Sequence, residues 1–307
     1  MRFLVVGAGA IGGYFGGRLL EVGCDVTFLV RPQRAVELAR TGLIIKSRYG
    51  DASFTAPPTI TPDDLRESFD LVLLSVKAYD LDDAMESFAA AVGPQTSILP
   101  LLNGMGHLDR LDARFGAQHV LGGLCMIAVT LDDDGTIRHL NENHSLTFGE
   151  RDHQRSARVK AIFSALSDVR FDLQSSERIL QEMWEKWIFI ASVAGVTCLM
   201  RASIGDIVAA GGAEIGLELF DQCAAIATRH GFPPSEPSVT RSHRMLTTAG
   251  SSLTASMLRD IERGARTEAD HIVGDLLRRN GERLDDARLL RIVFAHLMAY
   301  ETRRTHE

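Results

Sequence analysis

Cysteine is scarce: Cys24, Cys125, Cys198 and Cys223 lie far apart in 307 residues, and no Cys-x-x-Cys pair occurs. That excludes a dense disulfide framework and points to reduced thiols in a cytosolic protein. The ten histidines are dispersed with no His-x-x-x-His pair, so no metal site is expected. A cationic excess is also lacking. The net charge is −7, which gives no general attraction to nucleic acid or anionic lipid and leaves any anionic ligand to local cations and backbone N–H donors. Long apolar runs are missing too. The longest, Trp187 to Met200, is interrupted by Ser192, Gly195 and Thr197 and reads as too short to span a bilayer. The apolar start, Phe3 to Val6, is too short for the core of a signal peptide and has another use as a strand. No internal repeat or low-complexity tract is visible. The expectation is a cytoplasmic protein with no membrane and no nucleic-acid partner.

What is present is 45% hydrophobic and 24% charged residues, the balance of a globular protein with room for two cores. The first half alternates short apolar runs with helical patterns. Phe3–Val6, Asp25–Val30, Leu71–Val76 and Ser97–Leu102 read as strands, and the helices run to about Glu21 and over 34–41. Strands apolar on both faces suit a parallel sheet covered by helices, so the expected class is α/β with a doubly wound sheet. Gly42–Lys46 and Ala52–Thr55 could pair as a small hairpin. Val120–Thr130, Thr136–Leu140 and Ser145–Phe148 are strand-like, separated by turn signals at 132–135 and 141–144. They read as an antiparallel far edge of the same sheet. A helix over 155–166 and a short strand at 169–173 follow. From Ser175 onward only helical patterns appear. Ser176 can cap a long apolar helix, and Thr267 with Asp270 resembles a capping box. The expected division is therefore residues 1–174, an α/β domain, and residues 175–307, an all-helical domain.

Gly7-Ala8-Gly9-Ala10-Ile11-Gly12 fits G-x-G-x-x-G. It follows a strand and opens a helix, the context that gives the pattern meaning. The first glycine permits the turn, the second lets the backbone approach a pyrophosphate, and the third lets helix and strand pack closely. The helix N-terminus then presents N–H donors to phosphate. Gly13, Gly16 and Gly17 follow inside the helix, each at a cost of ~1 kcal/mol relative to alanine. An NAD site usually has an acid at the end of the second strand. Here that strand ends in Arg31, with Arg34 beyond, which suits the 2′-phosphate of NADPH.

Ligands of open α/β sheets sit at the carboxyl ends of the strands. Lys77 and Asn103 follow two such ends. Lys77 could approach the cofactor, and Asn103 could orient the nicotinamide or a carbonyl; otherwise they are a solvated lysine and an Asn-Gly turn. Lys186 shares a helix face with Met183, Ile190 and Val193. Such a lysine either snorkels to the surface or sits in a crevice. In a crevice, its ammonium can protonate the oxygen of a carbonyl, and desolvation would lower its pKa toward the range of a general acid.

The order of the glycine turn, Arg31, Lys77-Ala78, Asn103-Gly104-Met105-Gly106, Trp184-Glu185-Lys186, Ser256-Met257-Leu258-Arg259-Asp260 and Thr267-Glu268 resembles the ketopantoate reductase (2-dehydropantoate 2-reductase) family. The resemblance runs from Met1 to about Asn280. It implies a Rossmann domain plus a helical domain like that of 6-phosphogluconate dehydrogenase, with the active site in the cleft. It also implies NADPH-dependent reduction of a 2-keto acid to a 2-hydroxy acid on the pantothenate route to coenzyme A. By position, Lys186 matches the proton donor. Lys77, Asn103, Ala128 and Glu268 match cofactor contacts. Asn103, Lys186 and Ser256 match substrate contacts.

Four family asparagines that hold the substrate align with Ile190, Ala194, Ile204 and Leu253. A site that recognises a polar substrate discriminates through such groups, so their loss should change which acid fits. The first reading is therefore reduction of ketopantoate. A second is reduction of a more apolar keto acid or carbonyl by the same machinery. A third is a non-catalytic NADP(H)-binding regulator, against which Lys186, Ser256 and Glu268 argue. The apolar helices near Trp184–Met200 and Leu289–Tyr300 could bury a homodimer surface.

Overall fold

The structure is a computed structural model that describes residues 1–283 and 285–306. The chain divides into two compact units, one of Met1–Leu102 with His107–Leu180, the other of Asn103–Gly106 with Gln181–Glu307.

The first unit opens with β1 (Arg2–Val6), α1 (Ala10–Glu21), β2 (Asp25–Leu29) and α2 (Pro32–Thr41). Next come β3 (Leu43–Lys46), β4 (Ala52–Phe54), β5 (Thr59–Ile60), β6 (Leu71–Leu74), α3 (Leu81–Phe88), β7 (Ser97–Pro100) and α4 (Gly106–Phe115). It continues through β8 (Gly122–Leu131), β9 (Ile137–Gly149), α5 (Ala157–Ala165) and β10 (Asp172–Ser175). A five-stranded sheet runs β5-β2-β1-β6-β7, every neighbour parallel. The order reverses at β1, so the crevice of this doubly wound sheet opens between the carboxyl ends of β1 and β6. β6 and β7 are buried along their whole length, as two-sided apolar runs require.

The strands after residue 120 depart from expectation. They are not simply the far edge of the first sheet, which continues toward them only by the isolated bridge Ile98–Val120. A second five-stranded sheet, β10-β9-β3-β4 with β8 antiparallel to β9, takes in the expected β3–β4 hairpin. β3 joins β9 in parallel, Ile45 opposite Ile137, a pairing across ninety residues that no local pattern encodes.

The segment 141–144 is no turn. β9 runs unbroken through it, and the extra residues form a bulge between the pairs Ile127–His144 and Val129–His139. Asn141 Oδ1 accepts the Ala128 N–H at 3.0 Å and so replaces a ladder bond there. The turn at 132–135 does form, closed by Gly135 N–H to Asp132 O at 2.9 Å and with Gly135 at φ +85°.

The two sheets explain the glycines of α1. A Cβ at Gly16 would lie 2.5 Å from the Phe28 ring of the first sheet. One at Gly17 would lie 2.6 Å from Ile45 of the second, and one at Gly13 would collide with Ile137. α1 is thus packed between both sheets, and the propensity lost at each glycine is offset by close approach on two sides.

The second unit is built from α6 (Ile179–Met200), α7 (Ile204–Ala209), α8 (Ala213–Arg229), α9 (Glu236–Thr247), α10 (Ser256–Glu262), α11 (Asp275–Asn280) and α12 (Arg288–Arg304). A π-helical stretch, Asp270–Gly274, leads into α11. α6 corrects the apolar-run reading: at 22 residues it is long and apolar enough to cross a membrane, because Ile179–Trp184 extends the run. Two thirds of that window is buried in the protein, which is the behaviour of a core helix. Trp187 is fully buried, its indole N–H donating to Ile272 O at 2.9 Å, and Trp184 stacks near His230 and Phe232.

Two expected caps differ in detail. The Ser176 hydroxyl accepts from Arg178 N–H at 2.9 Å, one residue before α6 begins. Thr267 does not pair with Asp270; its N–H and hydroxyl both donate to Glu301 Oε1 at 2.7 Å. Asp270 is engaged by Arg278.

Candidate active-site residues

The glycine turn leaves β1 at the sheet's reversal point. Gly7 adopts φ +91°, a left-handed conformation that favours glycine, and its N–H donates to Leu29 O at 3.0 Å. Gly12 is tighter. A Cβ there would sit far inside contact distance of the Gly7 carbonyl oxygen and the Ser75 hydroxyl. Ser75 Oγ in turn donates to Val6 O at 3.0 Å and lies 3.2 Å from Gly7 O, tying β6 to the turn. Gly9, the N-cap of α1, has nothing within 4 Å of an added Cβ. The chain leaves room at Gly9 that a side chain would fill, directly before the N–H groups of the first α1 turn, which have no intrahelical partner. Ala10 and Ile11 begin that turn, partly buried. This is a cradle of the right kind for a pyrophosphate.

Around it stand three cations. Arg31, the N-cap of α2, is 70% exposed in its side chain and pairs with Asp80 at 3.1 Å. Arg34 reaches back and donates to Ala8 O from Nε and Nη2, at 3.3 and 3.2 Å, while Nη1 pairs with Glu37. Arg34 therefore braces the glycine turn itself. Lys77 precedes a single 3-10 turn, Ala78–Asp80, that starts α3, and is half-buried. Ala128 lies on β8 at the bulge, its N–H taken by Asn141.

The remaining predicted residues belong to the second unit. Asn103 follows β7 in sequence, yet the stretch Asn103–Gly106 groups with the helices. The Asn103 carbonyl accepts the Nε2–H of His271 at 2.7 Å, which fixes that tautomer because a carbonyl can only accept. Gly104 has φ +79°, and a Cβ there would meet the His271 ring at 3.1 Å. Lys186 is half-buried on α6, in a turn anchored by Trp184 and Trp187 and by Glu185, which accepts Ser235 N–H at 2.8 Å. Ser256 is exposed at the start of α10. Glu268 is half-buried just before the π-helical stretch.

The four altered positions separate into two kinds. Ala194 and Ile204 are buried at 4% and 1%, so they belong to the core of the helical unit. Ile190 and Leu253 remain partly exposed. Leu253 O accepts Ile204 N–H at 3.0 Å, and Thr197 Oγ1 lies 3.4 Å from Ala255 N, which brings the end of α6, the start of α7 and the approach to α10 together.

Sequence reasoning missed His271, Asp80, Ser75 and the bond from Arg34 to Ala8. Each is distant in sequence from its partner and carries no motif of its own.

Comparison with known proteins agrees with this frame. The family model for ketopantoate reductase PanE/ApbA matches residues 3–153, and that for the ketopantoate reductase PanE/ApbA C terminal matches residues 178–301. The uncharacterized oxidoreductase YkpB of Bacillus subtilis (strain 168) is 38% identical over 305 residues, 99% of this chain and 100% of that protein. The crystal structure of 2-dehydropantoate 2-reductase from Methylococcus capsulatus superposes with a TM-score of 0.85 at 26% identity, over 99% of this chain and 98% of that one. A D-mandelate dehydrogenase solved with NADH and anilino(oxo)acetate shares the fold at TM-score 0.89 and 18% identity, over 99% and 100% of the two chains.

A Rossmann-type unit with a glycine turn, a helical unit and these relatives define an oxidoreductase that acts on CH–OH groups with a nicotinamide dinucleotide. Within that class, the chain belongs to the ketopantoate reductase family.

Proposed function

We propose that this chain reduces a 2-keto acid to the 2-hydroxy acid with NADPH, ketopantoate to pantoate being the first candidate. The observation that carries the reading is Lys186, half-buried on a helix that Trp187 and Glu185 pin in place. Those contacts fix the backbone from which Lys186 projects, and a positioned proton donor contributes ~10²–10⁴-fold.

Bound NADPH supplies the hydride that adds to the carbonyl carbon. The chain's own groups do the rest. The glycine turn from Gly7 to Gly12 and the α1 N-terminus hold the pyrophosphate, with Ala8, Ala10 and Ile11 as its backbone. Arg31 takes the 2′-phosphate, where an acid would repel it. Lys77, Ala128 and Glu268 complete the cofactor contacts. The Asn103 amide orients the substrate carbonyl, and its backbone is held by His271. Ser256 offers a hydroxyl to the substrate. Lys186 Nζ donates the proton that neutralises the developing alkoxide.

A second reading, a more apolar keto acid, is favoured by Ile190 and Leu253, which present hydrocarbon where the family has amides. One experiment separates the two: NADPH oxidation followed by absorbance with ketopantoate and a graded series of aliphatic and aromatic 2-keto acids, with NADH in parallel. Preference for ketopantoate supports the first reading and preference for the apolar acids the second. Turnover of none of them, by a protein that binds NADPH, overturns both.

A further inference from the structure

The glycine-turn face of the first unit carries a carboxylate where the cofactor's extra phosphate would be recognised. Arg31 lies two residues past β2 and stands before Pro32, whose ring fixes the start of α2. Among the described residues its ion pair is with Asp80, Nη2 to Oδ1 at 3.1 Å. The Asp80 backbone is held in place: its N–H donates to Lys77 O at 2.9 Å, and it occupies the N-cap position of α3 without a side-chain cap bond, its carboxylate paired with Arg31. Arg34, the other nearby guanidinium, already donates to Ala8 O and pairs with Glu37.

A 2′-phosphate that binds Arg31 must therefore enter beside a carboxylate already paired with that guanidinium. It carries close to two negative charges at neutral pH, and it either displaces Asp80 from the guanidinium or shares Arg31 with it. The ribose of NADH meets no such repulsion. Its 2′-hydroxyl can donate to a carboxylate, as it does in NAD-binding units to an acid at the end of the second strand; here Asp80, from beyond β6, would offer one.

We propose that Asp80 sets the cofactor discrimination of this enzyme: it weakens the NADPH preference that Arg31 confers and supports the binding of NADH. The proposal rests on the assignment of Arg31 to the 2′-phosphate. Asp80 acts through Arg31 and the ribose rather than on the reacting carbon, so it is a positioning residue, and the readout is the ratio of the two nucleotide affinities.

The test is a titration of NADPH and NADH, by nucleotide fluorescence, into the wild type, Asp80→Asn and Asp80→Glu. In Asp80→Asn the ratio of the NADH to the NADPH dissociation constant should rise roughly fivefold, and less at high salt, since the lost term is a screened charge repulsion. Asp80→Glu, which keeps the charge, should stay within about twofold of wild type on the same electrostatic argument. A ratio in Asp80→Asn that is unchanged or falls overturns the proposal. The Arg31 assignment fails separately, if Arg31→Ala leaves the ratio as it was. A merely structural role for the exposed pair would weaken both nucleotides together and leave the ratio unmoved, which counts against the proposal.

Discussion

Two glycines of the same turn should respond to alanine in opposite ways. In Gly12→Ala the new methyl is driven into the Gly7 carbonyl and the Ser75 hydroxyl. Neither can give way: one is backbone, and Ser75 Oγ is tied to Val6 O and Gly7 O at 3.0 and 3.2 Å. Overpacking of this kind costs ~1–3 kcal/mol, and more where backbone must shift. For a unit of this size that corresponds to a drop in melting temperature of roughly 2–12 °C. Gly9→Ala should not destabilise at all. Its φ of −85° suits any residue, and nothing lies within 4 Å of the added carbon. The unfolded chain loses freedom, so stability should hold or rise by ~0.4–1 kcal/mol. Yet the methyl occupies the space into which the pyrophosphate must come, and NADPH affinity should fall at least ~10-fold, the equivalent of 1.4 kcal/mol. Thermal melts without nucleotide and NADPH titrations of both variants check this. A Gly9→Ala protein that melts and binds as wild type would refute the assignment of the turn as the phosphate cradle.

Lys186→Ala should lower kcat by ~10²–10⁴-fold while the NADPH dissociation constant changes little; a collapse of nucleotide binding instead would show that the lysine holds the cofactor. Ile190→Asn, alone or with Leu253→Asn, places an amide at a partly exposed position and should move the substrate panel toward ketopantoate, judged by kcat/KM. Acid stability gives an independent check on the second unit. Burial works to raise the Glu301 pKa, but the two Thr267 bonds and Arg304 outweigh it and hold the carboxyl below its ordinary 4.5. A depressed folded pKa stabilises above 4.5 and loses that contribution as pH falls through the folded value. Glu301→Gln should therefore cost ~1–2 kcal/mol at neutral pH, with the gap to wild type closing below the ordinary carboxylate range, as read from urea melts across pH.

The local features were legible because their physics is local. A strand, a G-x-G-x-x-G turn and a helix in sequence give a phosphate cradle, and the two-sided apolar runs of β6 and β7 imply a covered parallel sheet. That Arg31 follows shortly after β2 needs only the apolar run of the strand to be read. In the helical half, the apolar face of α6 was visible in its spacing, and so was the placing of Lys186 on that face. The turn signal at 141–144 misled, because asparagine that favours a turn can equally fill a bulge once a partner N–H, here that of Ala128, is present.

By itself the sequence determined the strand–glycine turn–helix order at the start, the two-sided apolar strands β6 and β7 and a basic residue shortly after β2, since each is set by neighbours within a few residues. Only the tertiary structure decided the second sheet, the packing of α1 between two sheets that makes Gly13, Gly16 and Gly17 necessary, the hold of His271 on Asn103, and the meeting of Arg31 with Asp80. Those depend on contacts between residues tens to more than a hundred positions apart. Such contacts follow from how whole elements fill space, and no short window of the chain records them.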